Sequence, residues 1–375
     1  MLRVSSLLTL VTLSVAGAAS AGSSCIAFDI SWNLLAFGFN GKDYNAGTQD
    51  TWASGTATDI TTSGRPPFDG NNTTCYLSQF TNAIYVLGAS SSSPSSIYIY
   101  DAAAKSWSTQ AVNTGSFDPS SFNAILDHDT NVFYALSKGE MFDLDMGSLK
   151  VANSTPVAWG DVQSSGFGAD YQPVMALAQN HIHFLDVPGV AAGSAKIFVI
   201  HFSYMQPEPQ PYGKFPATHG QATSFFMEQG VQQEFAFIPD DGSATYVINV
   251  ETNTTKTLPG PSIKDSLATY FASTDSLVQL SSSGSVSYMP YSANSTSANP
   301  DASWNTVNKL PVALSSSSTS AGASSASGSN TAKGASATGN APSDSSHDNG
   351  ALSMSAFPRW GVGSLIACAF AAFFL

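Results

Sequence analysis

The chain has 375 residues, a formal net charge of −13, and only 10% charged residues against 11% aromatic ones. A chain this acidic offers no basic patch for a phosphate backbone, which excludes the nucleic-acid-binding classes. It also has no electrostatic attraction to anionic lipid, so any membrane association needs a dedicated anchor.

The N-terminus reads as a secretory signal. Arg3 supplies the positive end, Val4 to Ala16 is mostly apolar and too short to span a bilayer, and Ala19-Ser20-Ala21 fits a small-residue cleavage site. Residues 1–21 are therefore expected to be removed, leaving a mature chain from Gly22. An uncleaved N-terminal anchor is the rival reading, and the well-formed small-residue exit argues against it.

Residues 22–311 carry strand-like runs rich in Val, Ile, Tyr and Phe, bounded by Gly, Asn, Asp and Ser, with no long amphipathic helix. One class of run starts at Leu34, Ile84, Val132, Ile182, Glu234 and Leu277, a spacing of about 50 residues. From the third repeat on, each is preceded by another short apolar run: Asn123 to Leu126, Val174 to Leu177, Ala222 to Phe226 and Leu267 to Phe271. Four strands per repeat at this period indicate a β-propeller. Six blades fit the spacing. Seven is the alternative, with the divergent stretch from Gly41 to Gly70 hiding a blade or a long insertion. A pair of β-sandwiches would not require the period.

The third strands resemble one another. Ile97 to Asp101, Met141 to Asp145 and Tyr246 to Glu251 each end on an acid, followed by a polar turn and a Lys four (Lys105) or five (Lys150, Lys256) residues beyond the acid. The acid is expected to accept turn N–H groups and the Lys to sit across from it. In the first of these, the Tyr100-Asp101 turn followed by Trp107 resembles the kelch repeat of galactose-oxidase-type propellers, with Trp52, Trp159 and Trp304 as blade-end equivalents. The kelch double glycine is absent, and Leu87-Gly88-Ala89 stands in its place.

The resemblance implies a propeller fold. It also raises a copper oxidase built on a Tyr–Cys crosslink and His ligands. That activity is not expected, because the two mature cysteines pair with each other and a Ser-rich tract stands where an accessory domain would be. Three cysteines look odd for a secreted chain, but Cys368 lies in a discarded tail. Cys25 and Cys75 remain as one disulfide in an oxidising lumen. It would pin the first repeat to the second.

Catalytic signals are sparse. His181 and His183 share one face of a strand, with Asp186 three residues on, which is a metal-ligand spacing; the period puts His201 and His219 in the same blade. Two ligands do not make a site, and a half-exposed strand face explains them as well. The acid pairs Asp127/Asp129, Asp143/Asp145 and Asp240/Asp241 invite a glycosidase reading, yet all lie at strand ends or turns, where Asp serves the backbone. Nucleophile-elbow, zincin, P-loop and dinucleotide fingerprints are absent from the sequence. No catalytic residue and no cofactor is expected. Trp52, Tyr76, Phe80, Tyr212 and Trp304 are the aromatics near loops on which a sugar ring could stack, against the structural role that most propeller aromatics serve.

Sequons occur at Asn71, Asn72, Asn153, Asn253 and Asn294, and mark surface loops in a secreted chain. Residues 312–349 are nearly all Ser, Ala, Gly and Thr, a composition that cannot bury a core, and are expected to form a disordered, O-glycosylated stalk spanning ~30–35 Å as a plain coil. The end of the chain, with Asn349-Gly350-Ala351, a spacer and an apolar run from Gly361 to Leu375, has the form of a glycosylphosphatidylinositol (GPI) signal with Asn349 as the attachment residue and 350–375 removed. The run is shorter than the ~20 apolar residues of a membrane span. Losing Arg3 and Arg359 takes the charge from −13 to about −15 and leaves Arg65 as the one arginine.

The architecture resembles fungal GPI-anchored wall proteins. The expected molecule is a monomeric, non-enzymatic binding or adhesion module at the outer face of the plasma membrane or cell wall. Its expected partner is a wall carbohydrate or a surface protein, and its only membrane contact is the anchor. The alternative is a surface hydrolase or oxidase acting on wall polysaccharide. Treating intact cells with a phosphatidylinositol-specific phospholipase should release the protein into the medium; retention on the membrane would count against the anchor.

Overall fold

The computed structural model describes residues 23–293 and 302–313, all within one compact unit. The sequons' Asn294, the stalk beyond Ala313, Asn349 and both terminal signals lie outside the described residues. No helix among the described residues is long and apolar enough to cross a membrane.

The chain folds into six antiparallel meander sheets, five of four strands and one, blade 4, of five, with a short parallel pair, Val112–Asn113 and Val157–Ala158, between blades 2 and 3. Blade 1 comprises Cys25–Phe28, Leu34–Phe39, Lys42–Gly47 and Thr58–Asp59; blade 2 comprises Thr74–Ser78, Ala83–Leu87, Ile97–Asp101 and Ser106–Gln110. The first strands of blades 3 to 6 are Asn123–Asp127, Val174–Ala178, Gly220–Ser224 and Thr269–Ala272. These six first strands touch one another in a closed ring, blade 6 meeting blade 1, so the sheets form a six-bladed β-propeller around a central axis.

The divergent stretch from Gly41 to Gly70 is not a seventh blade. It is the outer half of blade 1 and a long return, with a single 3-10 turn at Gln49–Thr51. The packed body also runs two residues past the expected end at 311: the Asn40 side-chain amide donates to Val312 O and the Ala313 N–H donates to Gly284 O.

Strand composition follows position. The second strand of blade 2, Ala83–Leu87, is apolar without alternation and wholly buried, because a neighbouring blade covers each of its faces. The outer strand Thr254–Pro259 of blade 5 is polar and mostly exposed. The buried apolar residues accordingly divide into six clusters, one at each blade-to-blade interface. The tryptophans sit at four of them. Trp107 packs between blades 1 and 2, Trp159 between 2 and 3, and Trp52 between 6 and 1, while Trp304 of blade 6 donates Nε1–H to Pro259 O of blade 5. At the other two interfaces Phe and Tyr take that place, among them Tyr171, Phe184 and Phe198, then Tyr212, Phe215 and Phe235.

The acid-and-turn device is present with two changes. Asp101 accepts the N–H groups of Ala103 and Ala104, and Asp145 that of Gly147. In blade 5 the cap is Asn249, not Glu251: its Oδ1 accepts the N–H groups of Glu251 and Thr252. The lysine near Asp101 is also not Lys105 but Lys150 of blade 3, at 3.8 Å. Lys105, four residues after Asp101, lies in the turn itself with φ +53°.

Blades 1 and 2 are joined by the Cys25–Cys75 disulfide, between their first strands, with Cα atoms 5.7 Å apart. Closing a loop of this length contributes about 4 kcal/mol in the chain-entropy model. Blades 6 and 1 meet without exchanging a strand. Their seam is held by Ile26, Phe28, Leu34 and Trp52 packing against Val278, Val286, Val307 and Leu310. Backbone bonds cross it from Ala57 N–H to Lys309 O and from Asn308 N–H to Trp52 O. Trp52 is fully buried there, edge-on to Tyr288 at 4.9 Å, with Nε1–H donating to Gly47 O. Trp52→Ala should lower the unfolding free energy by about 3–5 kcal/mol in urea titrations, whereas Phe80→Ala, at an exposed position, should change it by no more than about 0.5 kcal/mol.

Candidate functional site

All six first strands run in the same sense, so their N-terminal ends converge on one face of the ring. They surround a funnel of about 840 Å³, to which every blade contributes: Ser24, Thr74, Asn123, Gln172, Gln221 and Thr269 in order, with Phe68 and Phe122 as aromatic wall. This volume is in the range of small-ligand sites.

Amides and hydroxyls supply most of the polar groups of the lining, beside a comparable apolar surface. Among the described residues its ionisable members are Arg65 and His219, and both are matched by acids behind the wall. Arg65 donates Nε–H and Nη2–H to the two carboxylate oxygens of Asp43, at 3.0 and 2.7 Å, and its guanidinium lies over the Phe68 ring at 4.9 Å. Asp43 is fully buried and also accepts the Gly38 N–H. A bidentate pair of this kind fixes the plane of the arginine. It holds the return after blade 1 against the funnel. His219 places Nδ1 2.8 Å from Asp240 Oδ2; the two residues are also joined by the Asp240 N–H donating to His219 O. Burial raises the nearby Asp186 carboxyl above the usual range, opposed by His219 and reinforced by Asp240.

The opposite end of the axis is closed. Phe226 follows the first strand of blade 5 and lies buried against residues of three other blades. Its ring is 5.3 Å from Trp32 of blade 1, 4.3 Å from His128 of blade 3 and parallel to Phe271 of blade 6 at 6.3 Å. It belongs to the cluster between blades 1 and 2, so it reaches across the ring. The result is a funnel open at one face and stopped by an aromatic plug at the other.

The sequence-derived candidates fall elsewhere. His183 is buried, with Nε2 3.0 Å from the Tyr212 hydroxyl and its ring against Phe235; His181 bonds through Nδ1 to the Gln179 carbonyl. Their strand belongs to blade 4, and no group of three or more His, Cys, Asp or Glu placed to hold a metal occurs among the described residues. His201 and His219 lie in different blades: His201 is in the 3-10 turn of blade 4, and His219 opens blade 5. The period misassigned them because blade 4 ends with extra short strands at Tyr204–Met205 and Gln210–Pro211.

Asp127 is buried and bonded to Thr130, Asp143 is half-buried, and Asp241 caps its own turn at Ser243. Of the acid pairs, only Asp240 supports the funnel. Trp52 and Tyr212 are core residues, Tyr76 donates its hydroxyl to Ala124 O, and Phe80 is exposed at the hairpin on the plug side, so none of these forms the funnel wall. Of the sequons, Asn71 and Asn72 are exposed on the funnel rim, while Asn153 and Asn253 are exposed away from it.

No protein-family model matches the sequence, and no curated protein matches it. Among solved structures, one titled "Structure of YjhT" aligns over 73% of this chain and 95% of its own at 9% identity with a TM-score of 0.49; one titled "Crystal structure of Nidogen/Laminin Complex" aligns over 63% and 79% at 10% identity and 0.39.

Burial keeps two histidines neutral: His128 beside the plug is pushed down from 6.5 to about 4, and His183 to about 3. The unfolded chain takes up these protons near pH 6.5 and the folded chain only well below. Stability is therefore full above about pH 6.5 and falls as pH drops toward about 3. His183→Gln should flatten part of that fall in urea midpoints measured between pH 7 and pH 4; an unchanged slope would assign the acid sensitivity to other groups.

Proposed function

We propose that the propeller is an extracellular binding module that takes a neutral, polyhydroxylated ligand of the carbohydrate class into the funnel. The observation that carries this reading is the lining itself. Its polar groups are amides and hydroxyls from six blades, its two ionisable members are each matched by an acid, and Phe68 and Phe122 supply apolar wall. Such a surface exchanges hydrogen bonds with hydroxyls without having to desolvate an unpaired charge. A strongly anionic or cationic ligand would find no unmatched partner there.

The proposal extends to placement. A signal peptide at 1–21, a Ser-rich stalk at 312–349 and a GPI anchor at Asn349 would hold the module at the outer face of a plasma membrane or cell wall, in keeping with the resemblance to fungal wall proteins. The buried, tilted contact of Tyr100 with Trp107, with ring centroids 5.0 Å apart, supports the likeness of the blades to kelch repeats.

A second reading has one observation in its favour. His219, with Nδ1 held by Asp240, leaves Nε2 as an oriented proton acceptor at the funnel, the arrangement a general base requires. On that reading the protein is a surface hydrolase acting on wall polysaccharide.

A glycan array probed with the secreted protein separates the two. Binding of neutral glycans that falls at least tenfold in Gln221→Leu or Phe122→Ala, a loss of about 1.4 kcal/mol, with no polymer turnover, supports the module. Turnover of a wall polysaccharide that His219→Ala abolishes would replace it with the enzyme.

A further inference from the structure

The funnel rim holds a feature that the binding reading does not use. Asn71 and Asn72 are both exposed, both in sequons and both part of the funnel lining. Their loop is fixed to blade 2 rather than free. Asp69 Oδ1 accepts the Ser91 N–H at 2.8 Å, and the Thr73 hydroxyl donates to Gly88 O at 3.2 Å. Gly70 lies so close to the Gly88 turn that a Cβ on it would stand 1.8 Å from Gly88 O. Gly88 has φ +66°, and a Cβ there would meet Asn72 O at 2.4 Å. Two facing glycines thus bring the sequon loop and the hairpin turn into contact, and the attachment point keeps one place at the rim.

The other described sequons are placed differently. Asn153 lies in the connection between the outer strands of blade 3, where its N–H donates to Gln110 Oε1 of blade 2. Asn253 lies in the outer turn of blade 5 and accepts from Gln210. Neither lines the funnel.

We propose that N-glycosylation at the Asn71–Asn72 pair sets a glycan over the funnel mouth and so limits the size of what can enter. A branched glycan rooted on one rim of this opening admits a small ligand past its arms and excludes a polymer chain or a protein domain. The ligand class would then be a free oligosaccharide or a chain end rather than the middle of a polysaccharide. This last step rests on the funnel's being the binding site; the steric gate does not.

The test therefore needs no ligand. Gln221→Cys puts a thiol in the funnel of the full secreted chain, made in a glycosylating eukaryotic host, with labelling at that residue read by peptide mapping. N-ethylmaleimide and a large polyethylene-glycol maleimide are compared on three forms: native, endoglycosidase-trimmed, and Asn71→Gln/Asn72→Gln. The small reagent should react at one rate throughout. The large reagent should react several-fold faster in the trimmed and double-variant forms, and Asn253→Gln should leave both rates unchanged. Gln172→Cys serves as a second reporter should Gln221→Cys fail to fold.

Both asparagines unmodified by mass spectrometry, or a large-reagent rate indifferent to the glycan, would overturn the gate. Gated labelling in a protein that binds no carbohydrate would overturn only the ligand reading and leave the gate standing.

Discussion

The seam between blade 6 and blade 1 is the constraint on which the rest of this structure depends. A propeller is an open row of sheets until its last blade meets its first, and only closure covers both faces of every sheet. Here closure involves no shared strand: blade 6 takes all four of its strands from the C-terminal part of the body. The seam is therefore side-chain packing reinforced by backbone bonds from the segment 302–313, with Trp52 at its centre. This explains why the outer half of blade 1 departs from the repeat. The stretch after Lys42–Gly47 turns through Gln49–Thr51 to deliver Trp52 to blade 6.

Closure also creates the axis, and the two ends of the axis are treated oppositely. At the strand starts the backbone ends on polar residues, and the space between them stays open. At the strand ends Phe226, Trp32, His128 and Phe271 fill it. The plug supplies contacts between blades that are not neighbours in the ring, which the six interfaces cannot do. A through-channel would leave the inner strands wet on their axial side.

Much of this was legible in the sequence. The period near 50 located the second strands to within a residue, from Leu34–Phe39 to Ser276–Leu280, because a strand covered on both faces must be apolar throughout. The two cysteines at the starts of successive repeats, Cys25 and Cys75, are bonded to each other. What was not legible depends on contacts across the ring. Nothing local distinguishes Phe226 from other phenylalanines near strand ends. Lys150 approaches Asp101 from the next blade, whereas sequence spacing pointed to Lys105. Arg65 and Asp43 are 22 residues apart in the one region that breaks the repeat. His219 was visible as a histidine, but its pairing with Asp240 follows from their facing positions where the first two strands of blade 5 begin and end. That signal was available in principle: the hairpin register predicts the contact once the strand ends are known to within one residue.

The same logic explains why motif searching found no active site here. In a propeller, six strand starts separated by roughly a repeat each supply the residues around the axis, so functional groups lie about 50 positions apart and share no local pattern. The funnel is written as one or two polar residues per repeat: Ser24, Thr74, Asn123, Gln172, Gln221 and Thr269. Their sequence spacing tracks the blade spacing, and each taken alone looks like an ordinary residue at a loop end. What gives them meaning together is charge balance. The two ionisable residues of the lining, Arg65 and His219, are each bound to an acid, Asp43 and Asp240. In a chain with a net charge of −13, the described lining of the funnel includes no carboxylate, and the proposal of a neutral ligand rests on that local departure from the composition of the whole.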